Sequence, residues 1–553
     1  MDVQSGKPSP VAREKAGSRK FIPWILRPGN IILIKVQEWL NRIFTPSLNP
    51  FYFLGAVSFF LLWIVIATGV YLWWFYVPTS DGAYESVRTI SEKQFHIGGL
   101  IRSLHRYASD GLVIVIFLHM LQVLFSDRFR KYRWVAWVSG VAILLPVWIE
   151  GTTGYFLVWD KRGQMIAQLT AEWIDAIPVI VEPVSRSFLT EGSLRYIIFF
   201  VILYLHMTLT GGLLALAWIH CVRIAKPLIN PPKQVGVVIM TGLVALSLIK
   251  PATSMAPADL GSLFGTVEMD WFYFIPYYLM SRFAIPASGM WLIGGGLLAI
   301  LAAMPWIIRE GRKRRGAGDP TPALPQGKIE VDTGKCRGCS LCFEACPFEA
   351  VNIEPRTDGA PYDMQVSVSP ERCAECGFCV TACEFSAVTM DGWSKSSLQD
   401  KIVALMAPAA DGGAKSTGLV FMCERSIDFD GVLTEDGRGL VSVDGAAVMV
   451  IPCIGIISPI IVDHCHKAGA KGVVVVGCRG LDCHYREARR RIKDSVNPYP
   501  STFLVEEMKD RFLKVFLVSP LEVAKLMMDI EKFFDSVKDP SQDEPGPDER
   551  SGG

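Results

Sequence analysis

The sequence predicts a multidomain chain: an all-α bundle of membrane-spanning helices, then a small α+β domain, then a small α/β domain on a parallel sheet. Three observations predict it. Long uncharged apolar windows fill the first three hundred or so of 553 residues. Of the 14 cysteines, Cys221 alone precedes residue 336. After residue 415, short apolar runs alternate with helical segments. Half of all residues are hydrophobic and the mean hydropathy is positive, as expected of a chain part of which lies in lipid. The net charge of +1 gives no basic surplus for a nucleic-acid partner.

Six spans are expected, at 51–77, 100–125, 134–158, 196–220, 235–249 and 289–308. The fifth is short for a span. Basic residues orient the set, because connections on the cytoplasmic side retain Lys and Arg. They cluster in the leader (Arg13 to Arg42), after the second span (Arg128, Arg130, Lys131, Arg133) and after the sixth (Arg309 to Arg315). An even number of spans then leaves both termini in the cytoplasm. The start is polar and basic without a small-residue cleavage site, so no secretory signal is expected. Residues 1–50 read as a leader whose segment 21–44 mixes apolar and basic residues, as a helix lying in the membrane surface does.

His105 and His119 lie fourteen residues apart on the second span, and His206 and His220 repeat that interval on the fourth. Fourteen residues at about 1.5 Å each give roughly 21 Å, and fourteen steps of about 100° return to the same face. One buried histidine reads as a hydrogen-bonded core residue; two matched pairs at a shared interval point to ligation, since polar groups in the membrane are costly. Gly55 and Gly69 on the first span, and Gly140 and Gly154 on the third, keep the same interval. Glycine removes bulk where something flat approaches a helix. Two histidine helices and two glycine helices therefore predict a di-haem four-helix bundle over 51–225. His105 and His206 are expected to hold an outer haem b, and His119 and His220 an inner one near the cytoplasm. Both axial positions are then filled by protein, which suits electron transfer. The absence of cysteine before Cys221 excludes a thioether-linked haem on the first span.

At these residues the sequence resembles cytochrome b of the quinol-oxidising bc complexes, over about 30–308. The resemblance includes Arg102, which in that family pairs with a haem propionate, and the stretches "GTTGYFLVWD" (151–160), "IPVIVEP" (178–184) and "DWFYFIPYY" (270–278). It implies a quinone-pocket-like loop within 226–310, a quinone or menaquinone partner and a homodimer. Asp270, Trp271, Phe272 and Tyr273 stand where the family has Pro-Glu-Trp-Tyr, with Glu268 nearby, and Gln122 stands where relatives often have arginine.

A Gly/Pro-rich linker at 311–327 leads to a doubled motif. "CRGCSLCFEACP" supplies Cys336, Cys339, Cys342 and Cys346; "CAECGFCVTACE" supplies Cys373, Cys376, Cys379 and Cys383. The run Cys-x2-Cys-x2-Cys-x3-Cys wraps a 4Fe-4S cubane, and the fourth cysteine serves the other cluster. One cluster is thus expected on Cys336, Cys339, Cys342 and Cys383, the other on Cys373, Cys376, Cys379 and Cys346. Structural zinc prefers separated cysteine pairs, and disulfides are disfavoured in the cytoplasm. Residues 328–392 resemble the bacterial two-cluster ferredoxin.

In 393–540, "GLVFMC" (418–423), "AAVMVIPC" (446–453) and "KGVVVVGC" (471–478) read as buried parallel strands ending at cysteines. Ligands gather at the carboxyl ends of such strands, so Cys423, Cys453, Cys478 and Cys483 should converge. Four thiolates suit zinc or an iron–sulfur cluster. The segment resembles the delta subunit of methyl-viologen-reducing hydrogenase, which shares "GC…DCHY" and implies a 2Fe-2S cluster. Ser426 follows Cys423 where that family often has a second cysteine. His464, Cys465, His466 and His484 read as helix and loop residues, and 541–553 as a disordered tail.

The expected function is quinone-linked electron transfer between the membrane pool and a cytoplasmic flavin and iron–sulfur oxidoreductase of the heterodisulfide reductase type. A relay lacking a quinone site and a zinc-holding docking module are the alternatives. Glu150 and Asp110 can carry protons or pair with a basic neighbour.

Overall fold

The computed structural model describes residues 23–94, 97–180, 182–190, 192–222, 227–261, 267, 272–308, 328–407, 416–479, 483–485 and 512–538. The chain divides into two compact units, residues 37–308 and residues 1–36 with 309–553.

Residues 37–308 are helical. The elements are α1 (Arg27–Ile43, which begins ahead of the unit), α2 (Leu54–Phe75), α3 (Gly82–Lys93), α4 (Ile97–Phe125), α5 (Trp134–Val158), α6 (Lys161–Asp175), α7 (Ile197–Val222), α8 (Lys233–Ile249), α9 (Ile275–Phe283) and α10 (Ala287–Ile307). Among the described residues five helical segments are long and apolar enough to cross a membrane: Pro50–Phe75, Ile97–Phe125, Lys131–Val158, Ile197–Val222 and Ala287–Ile307. Together with the family match reported below, they make this a multi-pass membrane protein. The sequence expected its fifth span at 235–249. The structure gives it a helix of 17 residues, about 26 Å long against a hydrocarbon core of about 30 Å. Prolines set that length, because Pro231 and Pro232 precede the helix and Pro251 follows Lys250.

The bundle pairs α2 with α4 and α5 with α7. Each pair thus joins a glycine helix to a histidine helix. The amphipathic helices α3 and α6 are polar connections. Trp159 takes a left-handed conformation (φ 53°) that ends α5, and Asp160 caps α6 by accepting from the amides of Arg162 at 3.0 Å and Gly163 at 2.9 Å. The second oxygen of Asp160 accepts from the amide of Met255 at 2.8 Å, tying the α8–α9 connection to the same cap. Gln122 donates to the carbonyl of Phe51 at 2.7 Å and so fastens α4 to the turn before α2.

In the second unit, residues 328–407 form β1 (Ile329–Val331), α11 (Leu341–Ala345), β2 (Val351–Pro355), β3 (Met364–Val368), α12 (Phe378–Ala382), β4 (Val388–Met390) and α13 (Lys395–Met406). β1 pairs antiparallel with β4, and β2 with β3. After residue 416 come β5 (Gly418–Cys423), β6 (Gly439–Leu440), β7 (Val443–Ile451), α14 (Pro459–Lys467), β8 (Gly472–Cys478), β9 (Leu513–Val518) and α15 (Val523–Lys538). Their sheet has the order β6-β7-β5-β8-β9, parallel except for β6. Every residue of β5 and β8 is buried, as central parallel strands covered on both faces must be. The three expected strands are β5, β7 and β8. Cys423 and Cys478 are the last residues of theirs, and Cys453 follows β7 by two.

Candidate haem and cysteine sites

The four glycines face the four histidines one to one. A Cβ on Gly69 would stand 3.1 Å from His105 Cε1, on Gly55 3.3 Å from His119, on Gly140 3.1 Å from His220 and on Gly154 3.5 Å from His206. The sequence assigned these glycines to a flat cofactor; in the structure each admits the edge of an imidazole to the backbone of the neighbouring helix. That approach brings Nδ1 to hydrogen-bond acceptors. His105 Nδ1 lies 3.0 Å from the Val65 carbonyl and 3.0 Å from Thr68 Oγ1. His220 Nδ1 lies 2.7 Å from the Ala136 carbonyl and 3.3 Å from Ser139 Oγ. A carbonyl only accepts, so the proton sits on Nδ1 and Nε2 keeps its lone pair for a metal. These residues fit a haem held by two imidazoles.

Sequence reasoning missed the hydroxyls. Thr68-Gly69, Ser139-Gly140 and Thr153-Gly154 each place a hydroxyl immediately before the glycine, and that repeated dipeptide was the available signal. It also left Glu150 open. Glu150 Oε2 is 2.9 Å from His206 Nδ1, beside Thr153 Oγ1 at 2.9 Å. Asp110, by contrast, pairs with Arg106 at 2.9 Å on its own helix. Arg102 donates to Ser91 Oγ and to Ser254 Oγ, both at 2.8 Å. Glu268, Asp270 and Trp271 lie outside the described residues. Tyr273 and Tyr277 are buried, Tyr273 with its ring against Gly151 and its hydroxyl 3.2 Å from Ser109 Oγ.

Substituting a glycine tests the contact. In Gly140→Leu the new side chain must displace the His220 ring, and haem content is expected to fall toward half that of the parent, read by pyridine haemochrome. Helix propensity cannot explain such a loss, because leucine improves on glycine by about 0.5–1 kcal/mol.

The cysteines of 328–407 form two crossed groups. Burial and then the neighbouring Cys383, Cys339 and Cys336 push the Cys342 thiol up to about 11. Burial and then Cys376, Cys346 and Cys373 raise Cys379 well above its ordinary value. Both loops wrap by the same backbone device. Gly338 and Glu375 hold φ of 65° and 54°, and Ser340 and Gly377 hold 61° and 78°, at matching places in the two runs. Left-handed residues turn amides inward around an anionic group. The amides of Ala350 and Ala387 donate to Cys346 Sγ at 3.4 Å and Cys383 Sγ at 3.2 Å. With the Cys342 and Cys379 thiols raised in this way, binding a metal would release their protons.

Cys423, Cys453, Cys478 and Cys483 are all buried at the carboxyl ends of β5, β7 and β8. Cys423 Sγ and Cys478 Sγ are 3.9 Å apart. A hydrogen bond to Cys423, a second to Cys483 and then burial raise the Cys478 thiol; burial and then Cys483 raise Cys453. Among the described residues no three cysteines, histidines or carboxylates are already set around one point as for a single metal ion, so these four are a candidate set by their shared place at the strand ends. His464 bonds the Gln399 carbonyl at 3.2 Å, burial pushes the Cys465 thiol up to about 12, and His466 packs edge-on against Phe512. These residues serve packing.

The second cysteine run abuts this third group. The Phe378 ring lies where a Cβ on Gly455 would be, and a Cβ on Gly377 would meet Ile456 at 3.1 Å. Phe348 and Tyr485 pack edge to face at 6.3 Å. Burial raises the Tyr485 hydroxyl well above its ordinary value, and both Cys453 and Cys376 act on it. The first run differs, since Cys339 is exposed and the Arg337 guanidinium covers the Phe385 ring at 4.2 Å.

Three family models match along the chain: cytochrome b/b6/petB over residues 40–227, a 4Fe-4S dicluster domain over 335–387, and the delta subunit of methyl-viologen-reducing hydrogenase over 419–539. A solved chain titled "Hyperthermophilic respiratory Complex III" is 18% identical, with 51% of this chain and 85% of that chain covered and a TM-score of 0.38. The chain thus joins a cytochrome b region, a dicluster 4Fe-4S region and a hydrogenase-delta-like region in one polypeptide.

Proposed function

We propose that the protein is a membrane-bound electron-transfer subunit linking a quinone pool to a flavin and iron–sulfur oxidoreductase of the heterodisulfide reductase type. The observation that carries this reading is the union, in one chain, of two matched imidazole pairs inside apolar helices with twelve clustered thiols. His105 with His206 and His119 with His220 would each hold a haem b. Cys336, Cys339, Cys342 and Cys383 would hold one 4Fe-4S cluster, Cys373, Cys376, Cys379 and Cys346 the other, and Cys423, Cys453, Cys478 and Cys483 a 2Fe-2S cluster. Such groups supply one-electron chemistry. The chain's own residues keep them dry, fix the imidazole tautomers and turn amides toward sulfur. The packing of Phe378 on Gly455 supports an order in which the second cubane neighbours the two-iron centre. The basic clusters support a cytoplasmic placement of the cysteine domains.

Redox-titrated optical and EPR spectra of the purified chain test the whole set. They are expected to resolve two low-spin b haems, two cubanes and one two-iron centre, with haem reduced by added quinol. A second reading, a relay without its own quinone site, draws support from the aromatic packing of Tyr273 on Gly151 and of Trp148, Trp173 and Tyr277 on one another. Quinol that leaves the haems oxidised would favour it.

A further inference from the structure

A carboxylate inside a membrane-spanning helix is costly unless both its oxygens are held. On α5, Glu150 is held at both. Its Oε1 accepts from Thr210 Oγ1 at 2.9 Å, and its Oε2 accepts from His206 Nδ1 at 2.9 Å. The side chain is 14% exposed and that of His206 22%. Glu150 and Gly154 stand one turn apart on α5, His206 and Thr210 one turn apart on α7. The clamp is therefore built from both helices of the pair. His105 and His220 are treated differently, for the carbonyls of Val65 and Ala136 stand one turn before Gly69 and Gly140 and receive their Nδ1 protons. At the corresponding place before Gly154 the acceptor is the side chain of Glu150.

Resting on the haem-ligand reading of His206, we propose that Glu150 is a positioning residue that makes His206 a stronger electron donor to iron than His105 or His220. A carboxylate takes a larger share of the Nδ1 proton than a carbonyl does, because hydrogen bonds to charged acceptors are about twice as strong as neutral ones. The ring so polarised carries more negative charge at Nε2. A more basic axial ligand stabilises ferric over ferrous iron and lowers the reduction potential. The haem that His206 would hold is thereby set at a lower potential than a carbonyl acceptor in place of Glu150 would give it.

The test is Glu150→Gln in the full-length chain, which keeps the shape and an acceptor oxygen but removes the charge. Two haems are expected to remain. In an optical redox titration one of them should become about tenfold easier to reduce, a shift of 59 mV for one electron, while the other stays put. The low-spin EPR g values of that same haem should move. Thr210→Val, which leaves the carboxylate but releases Oε1, should alter the same haem alone. The proposal is overturned if Glu150→Gln keeps two haems with unchanged potentials and g values. Should Glu150→Gln lose haem, the Thr210→Val titration decides, and no shift in it overturns the proposal. Failure of the ligand reading has a separate signature: His206→Ala would retain both haems.

Discussion

His119→Ala is expected to leave the chain with one haem in place of two, and His105→Ala is expected to do the same at the other level. On the proposed ligation each iron would take one imidazole from α4 and one from α7, and the sequence of neither helix offers a spare histidine. Alanine removes the donor and leaves an apolar gap that water fills poorly within the bundle. The pairing makes a sharper forecast than the single losses. His119→Ala with His220→Ala removes two ligands of one haem, so the double variant should retain as much haem as either single variant. His119→Ala with His206→Ala strikes both levels and should leave almost none. This is a double-mutant cycle with pigment as its readout: coupling within a level and additivity between levels. Haem counted by pyridine haemochrome, with helicity followed by circular dichroism, decides it. If the His119/His206 pair coupled instead, the assignment of levels would be wrong.

The membrane histidines were readable from sequence because lipid makes polar residues conspicuous and an interval of fourteen survives as a pattern on a helix. The cysteine runs were readable because wrapping a cubane fixes their spacing. What the glycines touch was not readable, since an interval says which residues share a face and nothing about what fills the gap. A haem edge and an imidazole edge both need an absent side chain. Glu150 was visible as a costly residue, yet its partners His206 and Thr210 lie on α7, more than fifty positions away, and only helix pairing brings them to it. The fifth expected span is present as an apolar helix of 17 residues. Its bracketing prolines were in plain view, but a hydropathy window averages over them. The contact between the second cysteine run and the third group depends on Phe378 meeting Gly455, a match of shapes between two domains that composition does not encode.

Cys478→Ala is expected to remove about two of about ten non-haem irons and to leave both cubanes. Cys478 ends β8, whose residues are all buried in the middle of the sheet, and its sulfur neighbours Cys423 on the adjacent strand. Deleting it leaves three thiols, one short of the set for a two-iron cluster. The sheet itself should survive, because Val474 and Val476 pack with Leu526, Ile530, Phe533 and Phe534 in a cluster that the substitution does not touch. Serine is the weaker test, since its oxygen can still coordinate. The contrast with zinc is quantitative. A zinc site would lose one zinc and no iron in the same variant. Position also predicts a remote effect. With Phe378 and Tyr485 packed between the two groups, a cubane on Cys373, Cys376, Cys379 and Cys346 would be near enough to sense the spin of a two-iron centre on the third group. In the parent, the EPR signal of that reduced cubane should relax faster than that of its twin; in Cys478→Ala the difference should vanish while both cubane signals keep their intensity. Equal relaxation of the twins in the parent would separate the two groups magnetically and leave Phe378 and Tyr485 as packing residues. Loss of zinc would assign the third group to docking and end the path at the second cubane.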